Sequence, residues 1–324
     1  MKTLLIDENY ENQRIDKYLK KLLCQAPPQM IYKMLRKKDV KVNGVKVKEN
    51  YILKKGDQVE LFLYEDRFLA LTKPQTIFDL EIHFDVLYED NNVLIVNKPS
   101  GLLVHEDSHE DMNTLSNQVL TYLYQKGEYD PQKTLGFTPG PVHRLDRNTS
   151  GIVIFGKTMR ALQDLNEMMK KRHCIEKTYL TICKGYMPSR ELIGYMKKDS
   201  EQSLAKIVSP STPGALKMHT IVENVQSNQK YSLLKVKLVT GRTHQIRLHL
   251  SSVGHPVIGD AKYGDFELNR YLKKTYHFQN QFLHAYSIKF IKPIGSLKYL
   301  QDYQVTCPLP KNLEALKKAL FLTK

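Results

Sequence analysis

A chain of 324 residues with a hydrophobic fraction of 41% can bury a sizeable core in two domains, which excludes an intrinsically disordered polypeptide. Its 49 Lys and Arg outnumber 34 Asp and Glu, a formal charge of +15, so the chain attracts polyanions, of which nucleic acid is the commonest soluble kind. No apolar run is long enough to cross a bilayer. The amino terminus turns polar and acidic too soon for a secretory signal, so the cytoplasm is the expected compartment. Cys24, Cys174, Cys183 and Cys307 are scattered, with no CxxC pair and no histidine at zinc-finger spacing, and read as reduced thiols rather than disulfides or metal ligands.

Over residues 14–23, Ile15, Leu19, Leu22 and Leu23 recur at helical spacing with Lys17, Lys20 and Lys21 between them. Pro27 and Pro28 end that helix and suit the start of a second over 29–37. The second helix carries Ile31, Met34 and Leu35 on one side and Lys33, Arg36 and Lys37 on the other. Val40, Val42, Val45 and Val47 then alternate around Asn43-Gly44, a dipeptide that accepts positive φ and so predicts a tight β-hairpin. "KKGDQVELFL" adds a turn and a strand. By themselves these residues describe a small stable unit with a solvated basic rim. Residues 12–63 also resemble the α-L RNA-binding module of a small-subunit ribosomal protein and of many RNA-modifying enzymes. That resemblance implies that Lys33, Arg36, Lys37 and Lys38 grip phosphates and position whatever follows.

Residues 64–85, with Pro74 and little periodicity, read as a linker or loop. From Val86, "VLYEDNNVLIVNKPSGLLVH" reads as two strands around an Asp90-Asn91-Asn92 turn, followed by a second turn at 97–101. No chemistry is assigned there to Lys98 or His105. Leu115, Val119, Leu120 and Leu123 predict a helix over 114–124 covering one face of a sheet, and 128–133 is a polar loop.

The stretch "PGPVHRLDRNTSGIVIFGK" at 139–157 places Asp146 between Arg144 and Arg147, ahead of the compact apolar run Ile152-Val153-Ile154-Phe155. A loop ending on a rigid buried strand is a good place to hold a reactive group, although neighbouring Asp and Arg usually mean a surface salt bridge. Thr158 reads as the N-cap of a helix that presents Leu162, Leu165 and Met169 to the core and ends in Lys170, Lys171 and Arg172. "IEKTYLTICKGYM" is a strand in which Tyr179, from spacing alone, is an ordinary core tyrosine. Residues 190–201 are polar and weakly patterned, whereas 217–225 and 231–239 are strands. The latter leads into "VTGRTHQIRLHLSSVGHPVIGDAKYG". His244 and His249 there fit no common metal-ligand spacing and read as structural or RNA-contacting histidines. "QFLHAYSIKFI" is a final sheet strand, and Leu313, Leu316 and Leu320 mark a closing helix.

"HRLDRNTSG" resembles the signature of RNA pseudouridine synthases of the RluA/RluD type, and the "VNKPSG", "K-x-Y" and "GRTHQIRLHL" segments follow the same layout over most of 86–308. The resemblance implies that Asp146 is the catalytic carboxylate, as nucleophile or as the base of an elimination. It implies that Tyr179 packs on the target uracil, that Arg144 enters the RNA stack to fill the space the uridine leaves, and that Arg247 faces the catalytic loop. A neighbouring guanidinium favours an ionised carboxylate, stacking on an aromatic ring is worth about 1–3 kcal/mol per base, and a base must leave its stack to be modified. The implied fold is α+β: the small N-terminal module, then a catalytic domain over 86–324 with a long, mostly antiparallel mixed sheet flanked by helices and loops. Uridine isomerisation needs neither cofactor nor metal, so none is expected. The implied partner is RNA, ribosomal rather than transfer RNA, met by a monomer with no membrane contact. The alternative is a catalytically silent RNA-binding or ribosome-assembly factor on the same fold. A hydrolase with paired carboxylates lacks a second carboxylate of supporting context.

Overall fold

The computed structural model describes residues 1–7, 9–72, 77, 79–106, 112–134, 136–199 and 204–321. The N-terminal unit begins with β1 (Lys2–Leu5), followed by α1 (Ile15–Leu22) and α2 (Pro28–Lys37). Pro28 opens α2 where no intrahelical N–H is required. Next come β2 (Val40–Val42), β3 (Val45–Lys46) and β4 (Gln58–Leu61). Ile15, Leu19, Leu22, Ile31, Met34 and Leu35 pack against Val40, Val59 and Leu61 as one core. The hairpin expected around Asn43-Gly44 is present, with φ of 52° and 76° at the two turn residues. The sheet order is β1-β4-β2-β3.

Two features depart from the sequence reading. β1 pairs antiparallel with β4 and alternates between half-buried and exposed positions, but its residues, Lys-Thr-Leu-Leu, do not alternate with it. The stretch read as a linker carries a helix, α3 (Glu65–Leu71), whose single buried side chain, Phe68, joins the N-terminal core. One buried position in seven residues leaves no period to read. Residues 73–76, including Pro74, and residue 78 lie outside the described residues.

The larger unit is α+β, with a mixed and mostly antiparallel sheet. Its first half contains β5 (Asp85–Glu89), β6 (Val93–Lys98), α4 (Leu115–Gln125), β7 (Gly140–Pro141), β8 (Ser150–Gly156), α5 (Met159–Lys171) and β9 (Ile175–Lys184). Then follow β10 (Arg190–Asp199), β11 (Leu204–Ile207), β12 (Leu216–Ser227), β13 (Tyr231–Leu238), α6 (Gln245–Ser252), α7 (Phe266–Tyr276), β14 (Leu283–Phe290), β15 (Gln304–Thr306) and α8 (Lys311–Phe321). Among the described residues the main path runs β11-β10-β12-β13-β9-β14-β8-β6-β5, with β15 on β14 and β7 on β8. The β14–β8 pairing is parallel. Val93, Leu94, Ile95 and Val96 of β6 and Ile152, Val153, Ile154 and Phe155 of β8 are almost wholly buried, which accounts for their unbroken apolar runs.

The polar stretch after Ser189 forms β10, because Leu192 and Met196 alone supply its buried anchors and their spacing hides the alternation; Ser200 and Glu201 of that stretch lie outside the described residues. In α5, Met159, Ala161, Leu165 and Met168 are the buried positions, while Leu162 packs on the N-terminal core and half-buried Met169 on that of the larger unit. The expected Leu162, Leu165 and Met169 thus all face a core, divided between two because α5 also carries the joint between the units. Met159 and Phe137 belong to the N-terminal core, and Lys21 Nζ lies 3.4 Å from Met159 Sδ. No helix among the described residues is long and apolar enough to cross a membrane.

Candidate active site

Asp146 sits in the loop between β7 and β8, and several independent contacts fix that loop. Thr149 N–H donates to the Asp146 carbonyl at 3.0 Å, closing a turn. Gly151 has φ of +107°, and a Cβ there would come within 2.3 Å of the Ala285 carbonyl oxygen. Glycine is therefore what lets β8 lie beside β14 where the parallel pairing starts. Next to it, Ser150 Oγ and His284 Nδ1 are 2.8 Å apart, both fully buried.

Lys98, at the end of β6, is completely buried. Its ammonium donates to the carbonyl oxygens of Pro99 at 2.8 Å, Leu102 at 2.7 Å and Arg147 at 2.9 Å, which matches three acceptors to its three donors. Burial draws its pKa down to about 7, opposed by the negative charge of Asp146. Gly101 N–H and Ser100 Oγ add bonds to the carbonyls of Arg147 and Asn148. The turn at 97–101 thus supports the Asp146 loop from its C-terminal side.

Arg247 reaches Asp146 from α6. The start of that helix is set by Gln245, a buried amide whose every polar atom is used. Its Oε1 accepts from Thr240 Oγ1 at 2.7 Å and Arg242 N at 3.1 Å, and its Nε2 donates to the His219 carbonyl and to Thr220 Oγ1. Arg247 Nη1 donates to Asp146 Oδ2 at 2.7 Å. Nε and Nη2 donate to the two oxygens of Asp260 at 2.7 and 2.8 Å. Burial works against the guanidinium's charge, and the two carboxylates more than offset it, so its pKa is raised. Asp260 also accepts from the backbone N–H groups of Lys262 and Tyr263. Burial alone would raise its carboxyl pKa, yet Arg247 and those N–H groups hold it below the usual value. The Tyr263 ring lies 5.3 Å from the guanidinium carbon.

His244, with φ of 55°, precedes the helix and places Nε2 3.9 Å from Asp146 Oδ1, while its Nδ1 meets the Tyr263 hydroxyl at 3.0 Å. Burial lowers its pKa, with Asp146 opposing and Arg247 and Lys262 reinforcing.

These groups line a cleft of about 820 Å³. Asp146 and Arg247 meet there, and Tyr179 and the exposed Arg144 lie in the same wall. Tyr179 is 7% exposed, and burial, followed by the Asp146 charge, raises its pKa and keeps the phenol protonated. The Asp146 side chain keeps a quarter of its surface open. Lys33, Arg36, Lys37 and Lys38 stand elsewhere, exposed on and just after α2 of the N-terminal unit. Sequence reasoning passed over Asp260, Lys98 and Gln245. The signal for Asp260 was electrostatic: a buried arginine with three donor directions is not satisfied by one carboxylate. An open carboxylate clamped to a guanidinium beside a flat aromatic ring suits addition to, or proton removal from, a ring-bearing substrate that slides into the cleft.

The chain is similar to known proteins over nearly its whole length. Residues 92–252 match the family model for RNA pseudouridylate synthase, and residues 13–59 match the S4 domain. Ribosomal large subunit pseudouridine synthase C of Buchnera aphidicola subsp. Baizongia pistaciae is 32% identical over 321 residues, 98% of this chain and 96% of that protein. The protein of the same name from Escherichia coli K12 is 33% identical over 299 residues, 90% of this chain and 89% of that one. Among solved structures, human RNA pseudouridylate synthase domain containing 4 shares the fold with a TM-score of 0.54 at 22% identity, covering 72% of this chain and 92% of that one.

Proposed function

Because the chain belongs to the RNA pseudouridine synthase family, we propose that it isomerises uridine to pseudouridine in large-subunit ribosomal RNA, with Asp146 as the essential carboxylate. The reaction breaks the bond between uracil N1 and the ribose anomeric carbon, turns the base, and joins C5 to that carbon. A proton leaves C5 and N1 ends protonated, so atoms balance without an external reagent. Asp146 acts on the sugar, either by attack at the anomeric carbon or by taking the ribose proton that starts an elimination. Tyr179 holds the uracil flat and carries its phenol in the neutral form. Arg144 fills the space left in the RNA when the uridine is everted. Arg247 fixes the Asp146 carboxylate and is itself held by Asp260.

The observation that carries this reading is the Arg247–Asp146 contact of 2.7 Å inside a cleft walled by Tyr179. The ribosomal target is supported by the names of the full-length relatives and by the basic S4 domain. The enzyme works as a single chain in the cytoplasm, where ribosomal RNA is made. The test is tritium release from large-subunit ribosomal RNA transcribed with label at uracil C5. Wild-type protein releases label and Asp146→Asn does not, although it binds the same transcript. Turnover by Asp146→Asn at the wild-type rate removes the assignment.

A further inference from the structure

Lys177 leaves β9 two residues before Tyr179, so the two side chains share a face of the sheet, and both line the cleft around Asp146. The residue is half-buried, yet among the described residues the one side-chain hydrogen-bonding contact of its ammonium is the thioether of Met169, at 3.8 Å. Glu176, its neighbour in sequence, points to the other face and pairs with Lys237 at 3.2 Å. The charge that bears on Lys177 is also basic: Arg172, in the left-handed turn that ends α5. His143, of the loop that carries Asp146, is held neutral by burial and by the nearby Lys177, its pKa lowered to about 3. Across from it the β13–α6 turn brings up Gly241, where a Cβ would sit 3.8 Å from Nζ, so glycine keeps a side chain out of the cleft beside the ammonium.

Withdrawing an ammonium from water without a carboxylate is costly, and such a charge is kept where a ligand supplies the missing anion. The Asp146 carboxylate is already committed to Arg247 across the cleft. A nucleotide whose base lies on Tyr179 and whose sugar meets Asp146 brings its flanking phosphodiester toward this wall. We propose that Lys177, assisted by Arg172, binds the RNA phosphate next to the everted uridine. Positioning of the sugar then comes from an ion pair as well as from the stacked base. This inference rests on the synthase reading above. It adds a phosphate-binding residue inside the cleft, distinct from the surface lysines of the N-terminal unit.

The experiment compares wild type, Lys177→Met and Lys177→Arg on an unmodified transcript of large-subunit ribosomal RNA. It measures thermal unfolding, the dissociation constant over a range of KCl, and steady-state tritium release. Methionine keeps the stem and removes the charge. Lys177→Met is expected to unfold no lower than wild type and to show a salt slope shallower by about 0.7–0.9, the value of one phosphate contact. Its KM is expected to rise about tenfold, a loss larger than any fall in kcat, as for removal of a ground-state phosphate contact. Lys177→Arg restores the slope. An unchanged slope and KM overturn the proposal, as does a lowered unfolding temperature with wild-type binding, which would make the ammonium part of the fold. Wild-type protein that binds the transcript without releasing label counts against isomerisation of this RNA, while the slope still reports on Lys177.

Discussion

Arg247 is gripped from two directions: Asp260 takes its Nε and Nη2 at 2.7 and 2.8 Å, and Asp146 takes Nη1 at 2.7 Å. Asp260 is wholly buried, so its charge exists to be matched by Arg247 and the two backbone N–H groups beside it. Asp260→Asn should cost about 3–5 kcal/mol, the usual penalty for removing one member of a buried pair. A guanidinium released by even 1 Å no longer aims Asp146, and tritium release should fall about 100-fold. Arg247→Lys keeps the charge but loses the planar fork, and a point cation does not span two carboxylates. It should lose activity to a similar extent; wild-type turnover by Arg247→Lys would show that charge alone suffices.

Lys98 makes a separable prediction, because it touches the catalytic loop only through backbone. Lys98→Met removes three donors from three carbonyl oxygens, including that of Arg147, the residue after Asp146. The Arg147 carbonyl keeps the Gly101 N–H, but those of Pro99 and Leu102 lose the ammonium; each carbonyl left without a partner costs about 1–3 kcal/mol, so chemical unfolding should reveal a loss of roughly 2 kcal/mol or more. Activity measured well below the unfolding transition should also fall, because the loop end is no longer pinned. Full activity in a destabilised but folded variant would confine Lys98 to stability.

The sequence made the fold legible where one physical pattern dominated. The Asn43-Gly44 hairpin, the buried β8 run and the α2 stripe each follow from a local rule that tertiary structure did not override. The setting of Asp146 was legible because a loop of turn-formers ran into a fully apolar strand, and the resemblance of "HRLDRNTSG" singled it out as the candidate carboxylate. Lys98 and Asp260 were not, for opposite reasons. A lysine beside Pro99 looks like a solvated turn residue until the turn is known to be buried. An aspartate in "GDAKYG" looks like a turn-former until Arg247 is seen to need a second carboxylate. β10 escaped because its outer residues are charged, and α3 because only Phe68 reaches a core.

Away from the cleft, Glu89 contributes to the response to acid. Its burial would by itself raise its pKa, but bonds from Lys157 at 2.8 Å, Lys126 at 2.9 Å and Tyr122 at 2.8 Å hold the carboxyl at about 2, against 4.5 when free. A depressed carboxyl pKa means that the unfolded chain binds more protons in this window. The contribution to stability is therefore complete above about pH 4.5 and is lost as pH falls toward 2, up to about 3 kcal/mol. Urea unfolding followed from pH 6 to pH 3 should show this loss, and Glu89→Gln should flatten it. A profile as steep in Glu89→Gln as in wild type would place the acid-sensitive group elsewhere.

The N-terminal unit offers the last prediction. Lys33, Arg36 and Lys37 follow one another at helical spacing on the exposed side of α2, and Lys38 caps that helix with φ of 67°. Among the described residues none of the four is drawn into an ion pair with a carboxylate, in contrast to Lys126 or Lys157, so their charges face outward as a set. The unit does not swing freely from the catalytic sheet: Phe137 and Met159 enter its core and Lys21 meets Met159. A phosphate gripped on α2 is thus held at a fixed offset from Asp146. Replacing all four residues by Gln preserves helix propensity closely while removing up to four phosphate contacts. On ribosomal RNA the salt slope should drop by roughly 3, with a large rise in KM. On a uridine-containing oligonucleotide too short to reach α2, tritium release by the variant should stay close to that of wild type. Equal losses on both substrates would mean that the four charges act on the cleft itself, and the offset would then carry no part of substrate selection.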